Sequence, residues 1–268
     1  MQMDLNADAG ESFGNWTAGN DQQLFPELTS VNLALGFHAG DPVILQAAVA
    51  LAQSCGLGIG AHPGYPDLQG FGRRAMSLSP DEIYAATVYQ LGALGAFLQL
   101  VGAPLQHVKA HGALYMRIHE DPVAGEAFCR AVRELVPQAG MVTLAGPAGE
   151  ALTRQAQAQE LTVWREAFPE RAYIESGQLA PRSLPGSSIH DPEEAARRAA
   201  EMARGQVTTL EGRQLGLQVD TLCIHGDNPR AVEIARAIRA RLAEDGVTLT
   251  ALAAGETESD AGPLLARH

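Results

Sequence analysis

The sequence has few cysteines and no excess of positive charge. Its three cysteines, Cys55, Cys129 and Cys223, are far apart and form no CxxC pair. Neither a disulfide framework nor a thiolate zinc site is therefore expected. The formal net charge of -12 argues against binding to nucleic acid or to an anionic membrane, because both need a basic surface. This charge still permits an anionic substrate, because the local charge of a cleft can oppose the global sign.

Long hydrophobic runs are also missing. No apolar stretch reaches the roughly 18 residues of a transmembrane helix. The N-terminus, MQMDLNADAGES, lacks the basic segment and following apolar segment of a secretory signal peptide. We therefore expect a cytoplasmic protein.

Lysine is nearly absent, since Lys109 is the only lysine among 19 basic residues. A lysine ammonium is a compact charge whose pKa shifts readily when it is buried, whereas arginine keeps its charge. Lys109 lies beside a glycine-containing HG pair at the end of an apparent strand. This setting makes it a candidate functional residue.

Short β-type runs alternate with helical patterns, and this order predicts parallel strands joined by βαβ units. With 268 residues, of which 46% are hydrophobic, the chain fits a single-domain β/α barrel of seven or eight strands. A doubly wound open sheet is the alternative. Residues 1–268 form one domain in this interpretation, with a loosely held polar tail from about residue 255. The predicted strands are Met3–Asp8, Val31–Leu35, Leu57–Ala61, His107–Ala110, Met141–Ala145, Leu161–Glu166, Asp220–Ile224 and Val247–Leu252.

Several acidic and hydroxyl residues have the spacing of helix caps. Asp41, Asp121 and Asp191 each precede a proline at the start of a helical pattern, so we interpret them as N-caps. Ser79 and Glu82 have the three-residue spacing of a capping box.

The ends of the predicted strands are unusually polar. Parallel barrels place their functional groups at the C-terminal ends of the strands. Four of the eight histidines follow separate strands, which favours one shared pocket. The polar residues at these ends are Asn6, Asp8, Glu11, His38, His62, Arg73, Arg74, Lys109, His111, Glu166, His225 and Asp227.

The same segments resemble, in chain order, the signature segments of the LamB/YcsF family. They are DLNADAGESFG, NLALGFHAGDP, IGAHPGYPDLQGFGRR, VKAHGALY, EAFPERAY with GQLAPR, and CIHGDNP. The resemblance extends from residue 4 to about residue 230. The family usually has Cys where Leu35 stands, and this difference argues against a thiol mechanism.

The resemblance implies ATP-dependent opening of 5-oxo-L-proline to L-glutamate, carried out together with 5-oxoprolinase subunits B and C. It implies ATP, with Mg as its counter-ion, and a fold similar to the glycoside hydrolase/deacetylase barrels. The sequence contains no GxxxxGK[ST] run. Either the partner subunits or an atypical site in this chain must therefore bind ATP.

Opening a lactam requires a base for water, stabilisation of the tetrahedral intermediate and a proton for the ring nitrogen. Asp8 or Glu11 is the candidate base, because burial in the barrel mouth raises a carboxyl pKa toward neutrality. His62 and His111 are candidate acid–base or oxyanion groups. Lys109 is expected to hold a phosphate or the developing oxyanion.

The remaining polar residues at the strand ends are candidates for binding the substrate. Arg73 or Arg74 can clamp the substrate carboxylate, because a guanidinium binds a carboxylate through two hydrogen bonds. The other candidates for substrate binding are Asn6, His38, Glu166, His225 and Asp227.

A metal site formed by Asp8, His38 and His62 is an alternative that we do not favour, because no short HExxH-type spacing supports it. Two other functions stay open: a metal-dependent deacetylase or amidohydrolase on the same barrel, and a non-catalytic substrate-binding subunit. We expect partners to dock on the loops Gly64–Arg74 and Glu166–His190. The apolar residues expected to be exposed there are Phe71, Phe168, Tyr173 and Leu184.

Overall fold

Seven parallel strands form a closed barrel in the computed structural model, which describes residues 1–253. Each strand pairs with its neighbour along the chain, and β9 closes the barrel by pairing with both β6 and β1. The predicted barrel is therefore confirmed, and the open sheet is not formed. The barrel strands are β1 (Gln2–Ala9), β2 (Ser30–Ala34), β3 (Gly58–His62), β4 (His107–Val108), β5 (Gly140–Leu144), β6 (Val163–Ala167) and β9 (Thr221–His225).

Within residues 1–253, three short strands lie outside this ring. β7 (Gln206–Thr208) and β8 (Gln214–Gly216) form an antiparallel hairpin that the sequence analysis missed. β10 (Thr248–Leu249) pairs in parallel with the start of β1 and is shorter than the predicted last strand. The polar tail predicted from about residue 255 lies outside the described residues.

Eight α-helices surround the barrel in the described part of the chain. They are α1 (Asp21–Leu24), α2 (Pro42–Ser54), α3 (Pro80–Val101), α4 (Gly112–Glu120), α5 (Pro122–Leu135), α6 (Glu150–Ala158), α7 (Pro192–Ala203) and α8 (Ala231–Glu244), with 3₁₀ turns at Phe25–Glu27 and Pro147–Gly149. Helix α4 begins directly after His111 and was not predicted from the sequence. By length and composition alone, α3 is apolar enough to cross a membrane, with a mean hydropathy of 1.3. In the structure α3 packs against α2 and α5.

The predicted helix starts are confirmed. Asp41, Asp121 and Asp191 accept hydrogen bonds from backbone N–H groups in the first turns of α2, α5 and α7. Ser79 and Glu82 form the predicted capping box at the start of α3. These caps satisfy N–H groups that have no partner within the helix, and so they fix where each helix begins after its loop.

The barrel strands are buried along almost their whole length, because helices cover their outer faces. Apolar side chains such as Leu5, Val31 and Ile224 fill the layer between strands and helices. The interior of the barrel also holds a polar network. At its base the buried Asp4 carboxylate accepts hydrogen bonds from Ser30 and Thr221. The strand ends above this network carry the candidate site.

Candidate active site at the barrel mouth

A cavity of about 680 Å³ opens at the C-terminal ends of the barrel strands. Its polar lining comes from several separate loops, as expected for a parallel barrel. Six of the residues predicted from the sequence line it: Asp8, His62, Arg73, Lys109, His111 and His225. Four more, Asn6, Glu11, His38 and Glu166, are buried behind this lining.

A buried lysine joins two carboxylates at the floor of this cavity. The Lys109 Nζ lies 2.8 Å from Asp8 Oδ1 and 3.0 Å from Glu166 Oε2, and the whole residue is 2% exposed. Nζ also donates to the Cys223 thiol at 2.9 Å. Burial opposes the charge, but Asp8 and the other neighbours outweigh it and raise the pKa of Lys109 well above its ordinary value. The ammonium is therefore charged and held in place.

The two candidate bases differ in protonation. Burial opposes ionisation of Asp8, but His62 and Lys109 outweigh burial and keep its pKa well below its ordinary value. Burial and the nearby Asp8 carboxylate raise the pKa of Glu11 well above its ordinary value. The expected rise in pKa is thus wrong for Asp8, because Lys109 and His62 contact it directly. Only Asp8 of the two lines the cavity.

Asp8 is held from below by amide side chains. The Asn32 amide donates to Asp8 Oδ1 at 2.9 Å and to Asn6 Oδ1 at 2.7 Å, and its oxygen lies 2.5 Å from His107 Nε2. Asn6 donates in turn to Thr221. Asn6 therefore belongs to the support of the site and not to the cavity wall. Neither Asn32 nor His107 was predicted from the sequence as part of the site.

Four buried ionisable side chains lie beside Asp8. Glu11, His38, His62 and His111 offer ligand atoms within 4.8 Å of one another, so this group could hold a metal ion. His62 Nε2 is 3.3 Å from Asp8 Oδ2 and 2.9 Å from His111 Nδ1. The His38 ring stacks on His111 with 3.7 Å between centroids. Burial and the neighbouring His111 lower the pKa of His38 well below its ordinary value.

Arginines form one side of the cavity. Arg73 pairs with Asp227 at 2.7 Å, and Arg171 and Arg182 lie on the same wall. Burial and the neighbouring Arg182 lower the pKa of Arg171 to about 10. Arg74, the other predicted carboxylate clamp, pairs with Asp67 on the outer side of its loop and does not line the cavity.

The chain is similar to known proteins along nearly its whole length. Residues 3–257 match the LamB/YcsF family. The chain belongs to this family. A Deinococcus radiodurans protein named as the A subunit of 5-oxoprolinase is 70% identical over 94% of this chain and 98% of its own length. The protein of the same name from Thermus thermophilus is 54% identical over 94% of this chain and 100% of its own length.

A solved structure with high sequence identity has the same barrel. The lactam utilization protein from Thermus thermophilus superposes with a TM-score of 0.88 at 51% sequence identity. The alignment covers 94% of this chain and 100% of that one. The described barrel therefore has the fold of that protein.

One carboxylate of the site, that of Glu170, was not predicted from the sequence. Glu170 accepts hydrogen bonds from the backbone N–H of His225 at 2.7 Å and from the Asn228 amide. It joins the loop after β6 to the loop after β9. Its place in the EAFPERAY segment was the available signal, but a glutamate one residue after a proline has the pattern of an ordinary loop residue.

The expected docking loops differ from the prediction in their apolar side chains. Tyr173 is fully buried, and Phe168 is 5% exposed beneath the Lys109 ammonium. Both pack on the barrel, so they offer no surface to a partner. Leu184 is 44% exposed, as predicted.

Proposed function

We propose that this chain is the subunit of an ATP-dependent 5-oxoprolinase whose barrel mouth binds 5-oxo-L-proline and opens its lactam to L-glutamate. The observation that carries the proposal is the buried Asp8–Lys109–Glu166 group at the floor of a cavity of about 680 Å³. The relatives named as 5-oxoprolinase subunits supply the substrate class.

A five-membered lactam is a resonance-stabilised amide with a poor leaving group, so its opening is coupled to hydrolysis of ATP to ADP and phosphate. Phosphorylation of the lactam oxygen is the simplest coupling. Water then attacks the activated ring carbon, and the C–N bond breaks as the ring nitrogen takes a proton. A second water hydrolyses the resulting γ-glutamyl phosphate to glutamate and phosphate. The site must therefore supply a base, a fixed positive charge and a proton donor.

Asp8 is the proposed base, because it is ionised and lines the cavity. Its Oδ2 faces His62, while Oδ1 is held by Lys109 and Asn32. One carboxylate oxygen is thus fixed and the other is directed toward the histidines. His62 and His111 lie beside Asp8 and are the proposed acid–base or oxyanion groups.

Lys109 acts through its charge in this proposal. Its ammonium already contacts Asp8, Glu166 and Cys223, so it is preorganised and needs no rearrangement during the reaction. A fixed cation near the attacked carbon stabilises the negative charge of the tetrahedral intermediate. The nearby carboxylates keep it protonated at neutral pH.

The arginine wall is the proposed site for the substrate carboxylate. Burial and repulsion from a neighbouring arginine lower the pKa of Arg171 and of Arg182, so an anion bound between them relieves this repulsion. In a chain whose net charge is -12, such a positive patch is a specific feature. Guanidinium groups suit a carboxylate because they bind it through paired hydrogen bonds.

ATP, with Mg as its counter-ion, and subunits B and C complete the proposed enzyme in the cytoplasm. The test is to measure glutamate release from 5-oxoproline by this chain alone and after mixing with its two partners, with and without ATP. We expect release only from the full mixture with ATP. Glutamate release by the single chain without ATP would contradict the proposal and favour an independent amidohydrolase.

The arginine assignment has its own control. Arg182→Gln should raise KM for 5-oxoproline about 10-fold or more, because it removes a charged partner of the carboxylate. Arg154→Gln changes an exposed arginine on α6 and should leave KM unchanged. Equal KM values for both variants would contradict the carboxylate site.

A further inference from the structure

Two histidines of the barrel mouth, His62 and His111, face each other through ring nitrogens that carry no hydrogen when the rings are neutral. His62 Nδ1 lies 2.8 Å from the Lys109 carbonyl, and His111 Nε2 lies 2.8 Å from the Phe71 carbonyl. A carbonyl oxygen only accepts hydrogen bonds, so each ring donates through that nitrogen. In the neutral rings, His62 Nε2 and His111 Nδ1 then carry lone pairs, and these two atoms are 2.9 Å apart. Two lone pairs at this distance repel each other, so a positively charged species must lie between the two nitrogens.

Three further polar side-chain atoms close to this pair have no hydrogen-bond partner among the described residues. Glu11 Oε1 and both ring nitrogens of His38 are buried and make no hydrogen bond within the described residues. Glu11 Oε1 lies 3.9 Å from His111 Nδ1 and 3.8 Å from His38 Nε2. Leaving a buried polar atom without a partner is unfavourable, so three such atoms in one place indicate a missing ligand.

A proton accounts for fewer of these buried atoms without partners than a metal ion does. A proton on His62 Nε2 can satisfy Asp8 at 3.3 Å, but it leaves Glu11 Oε1 and His38 unpartnered among the described residues. A cation with several coordination positions satisfies all of them at once. The carbonyl bonds on the far sides of His62 and His111 also match metal-binding histidines, which donate their other N–H to a carbonyl or carboxylate.

The surrounding backbone is shaped to admit these rings. A Cβ at Gly64 would lie 2.5 Å from His38 Nδ1, and a Cβ at Gly72 would lie 2.7 Å from His111 Cδ2. Gly72 also has φ +63°, a conformation that side chains disfavour. Both glycines lie in the loop after β3, so the backbone of this loop packs directly against the His38 and His111 rings.

We propose that Glu11, His62 and His111 bind one divalent transition-metal ion. His38 becomes the fourth ligand after its ring rotates away from its stacked position on His111. The ligand atoms, all within 4.8 Å, need small shifts to reach the roughly 3.4 Å edges of a tetrahedron with bonds of about 2.1 Å. His38 must turn, because one ion cannot lie in the planes of two parallel rings 3.7 Å apart. When bound, such an ion supplies Lewis-acid chemistry next to Asp8.

The mixed nitrogen and oxygen donors favour ions such as Zn²⁺, Co²⁺ or Ni²⁺ over Mg²⁺ or Ca²⁺, which prefer oxygen ligands. The four side chains come from the C-terminal ends of four different strands or the loops after them. No short sequence spacing can reveal such a set, which is why the expectation from sequence disfavoured a metal. The ion is inferred from this chain alone and does not depend on the identity of the substrate.

The test uses the full chain, purified without chelator and without a histidine tag. Its metal content is measured by mass spectrometry, and Co²⁺ is then titrated into metal-free protein while visible absorption is recorded. We expect about one ion per chain and intense d–d bands, as for a four- or five-coordinate site. The paired variant His62→Ala/His111→Ala should lose both signals.

Two controls separate the site from folding and from surface binding. His190→Ala removes an exposed histidine far along the chain and should keep full stoichiometry. Glu11→Gln preserves shape and should weaken Co²⁺ binding at least 10-fold while circular dichroism stays unchanged. Failure of wild-type protein to bind Co²⁺ or Zn²⁺ above the level of the paired variant overturns the inference. That result leaves the proposed lactam chemistry open, because the assay contains no 5-oxoproline.

Discussion

Replacing Lys109 with methionine is the most informative perturbation of this barrel. The lysine is the only cation in contact with both the Asp8 and Glu166 carboxylates, among the residues described. Methionine has a similar length and fits the space beside Phe168, so the change removes charge and leaves the packing nearly intact. Lys109→Met therefore isolates the electrostatic contribution.

The expected cost follows from the burial of all three groups. Removing one partner of a buried ion pair destabilises a protein by about 3–5 kcal/mol, because the other charge stays buried and unpaired. Here two carboxylates are left, but one can take up a proton. Burial already raises the pKa of Glu166 even with Lys109 present, so Glu166 is the group that protonates. We expect a loss of about 3–5 kcal/mol at pH 8.

The sign of the pH dependence is fixed by this protonation. A carboxyl whose pKa is higher in the folded than in the unfolded state binds more protons when folded, so folding stability falls as pH rises. The loss in free energy of unfolding caused by Lys109→Met should therefore become smaller as pH falls from 8 toward 5. Urea unfolding followed by circular dichroism measures it at each pH.

The double variant Lys109→Met/Glu166→Gln provides the matched control. It removes one of the two orphaned charges and should be more stable than Lys109→Met at pH 8, with a weaker pH dependence. Equal stability of wild type and Lys109→Met at pH 8 would refute the view that this lysine holds two buried carboxylates.

Three further predictions test the support of the site. Asn32→Leu removes the amide that donates to Asp8 and should lower turnover of the reconstituted complex about 10- to 100-fold, with substrate binding measured by calorimetry unchanged. Gly72→Ala should reduce Tm more than Gly212→Ala. Both have positive φ, but a Cβ added at Gly212 would meet no other atom of the described residues within 4 Å. His119 accepts a hydrogen bond from Leu144, and burial lowers the pKa of His119 to about 4. As pH falls from 6.5 to 4, the free energy of unfolding of wild type should fall by up to about 3 kcal/mol more than that of His119→Gln, measured by urea unfolding.

The barrel could be predicted from sequence because its signals are local. Alternation of strand and helix patterns, and aspartates placed before prolines at Asp41, Asp121 and Asp191, are visible within a few residues. The β7–β8 hairpin was missed because each strand has only three residues, too few for a periodic pattern. Helix α4 was missed because its start, after His111, has no capping side chain.

The site was predictable only as a set of strand ends. Sequence order places Asp8, His62, Lys109 and His111 after parallel strands, and barrel geometry brings them together. Their protonation depends on distances between strands, so the low pKa of Asp8 could not be foreseen. Asn32 escaped because it lies within a strand, and only the closed barrel directs it at Asp8.

The most direct test of the proposed function compares two aspartates in the complete complex. The chain is assembled with the two proposed partner subunits, and glutamate release from 5-oxoproline is measured with ATP. Asp8→Asn should lower turnover by about 100-fold or more without impairing assembly, because it removes the proposed base. Asp81→Asn, on the exposed first turn of α3, should retain the wild-type rate. A complex containing Asp8→Asn that works at the wild-type rate would contradict lactam opening in this barrel mouth.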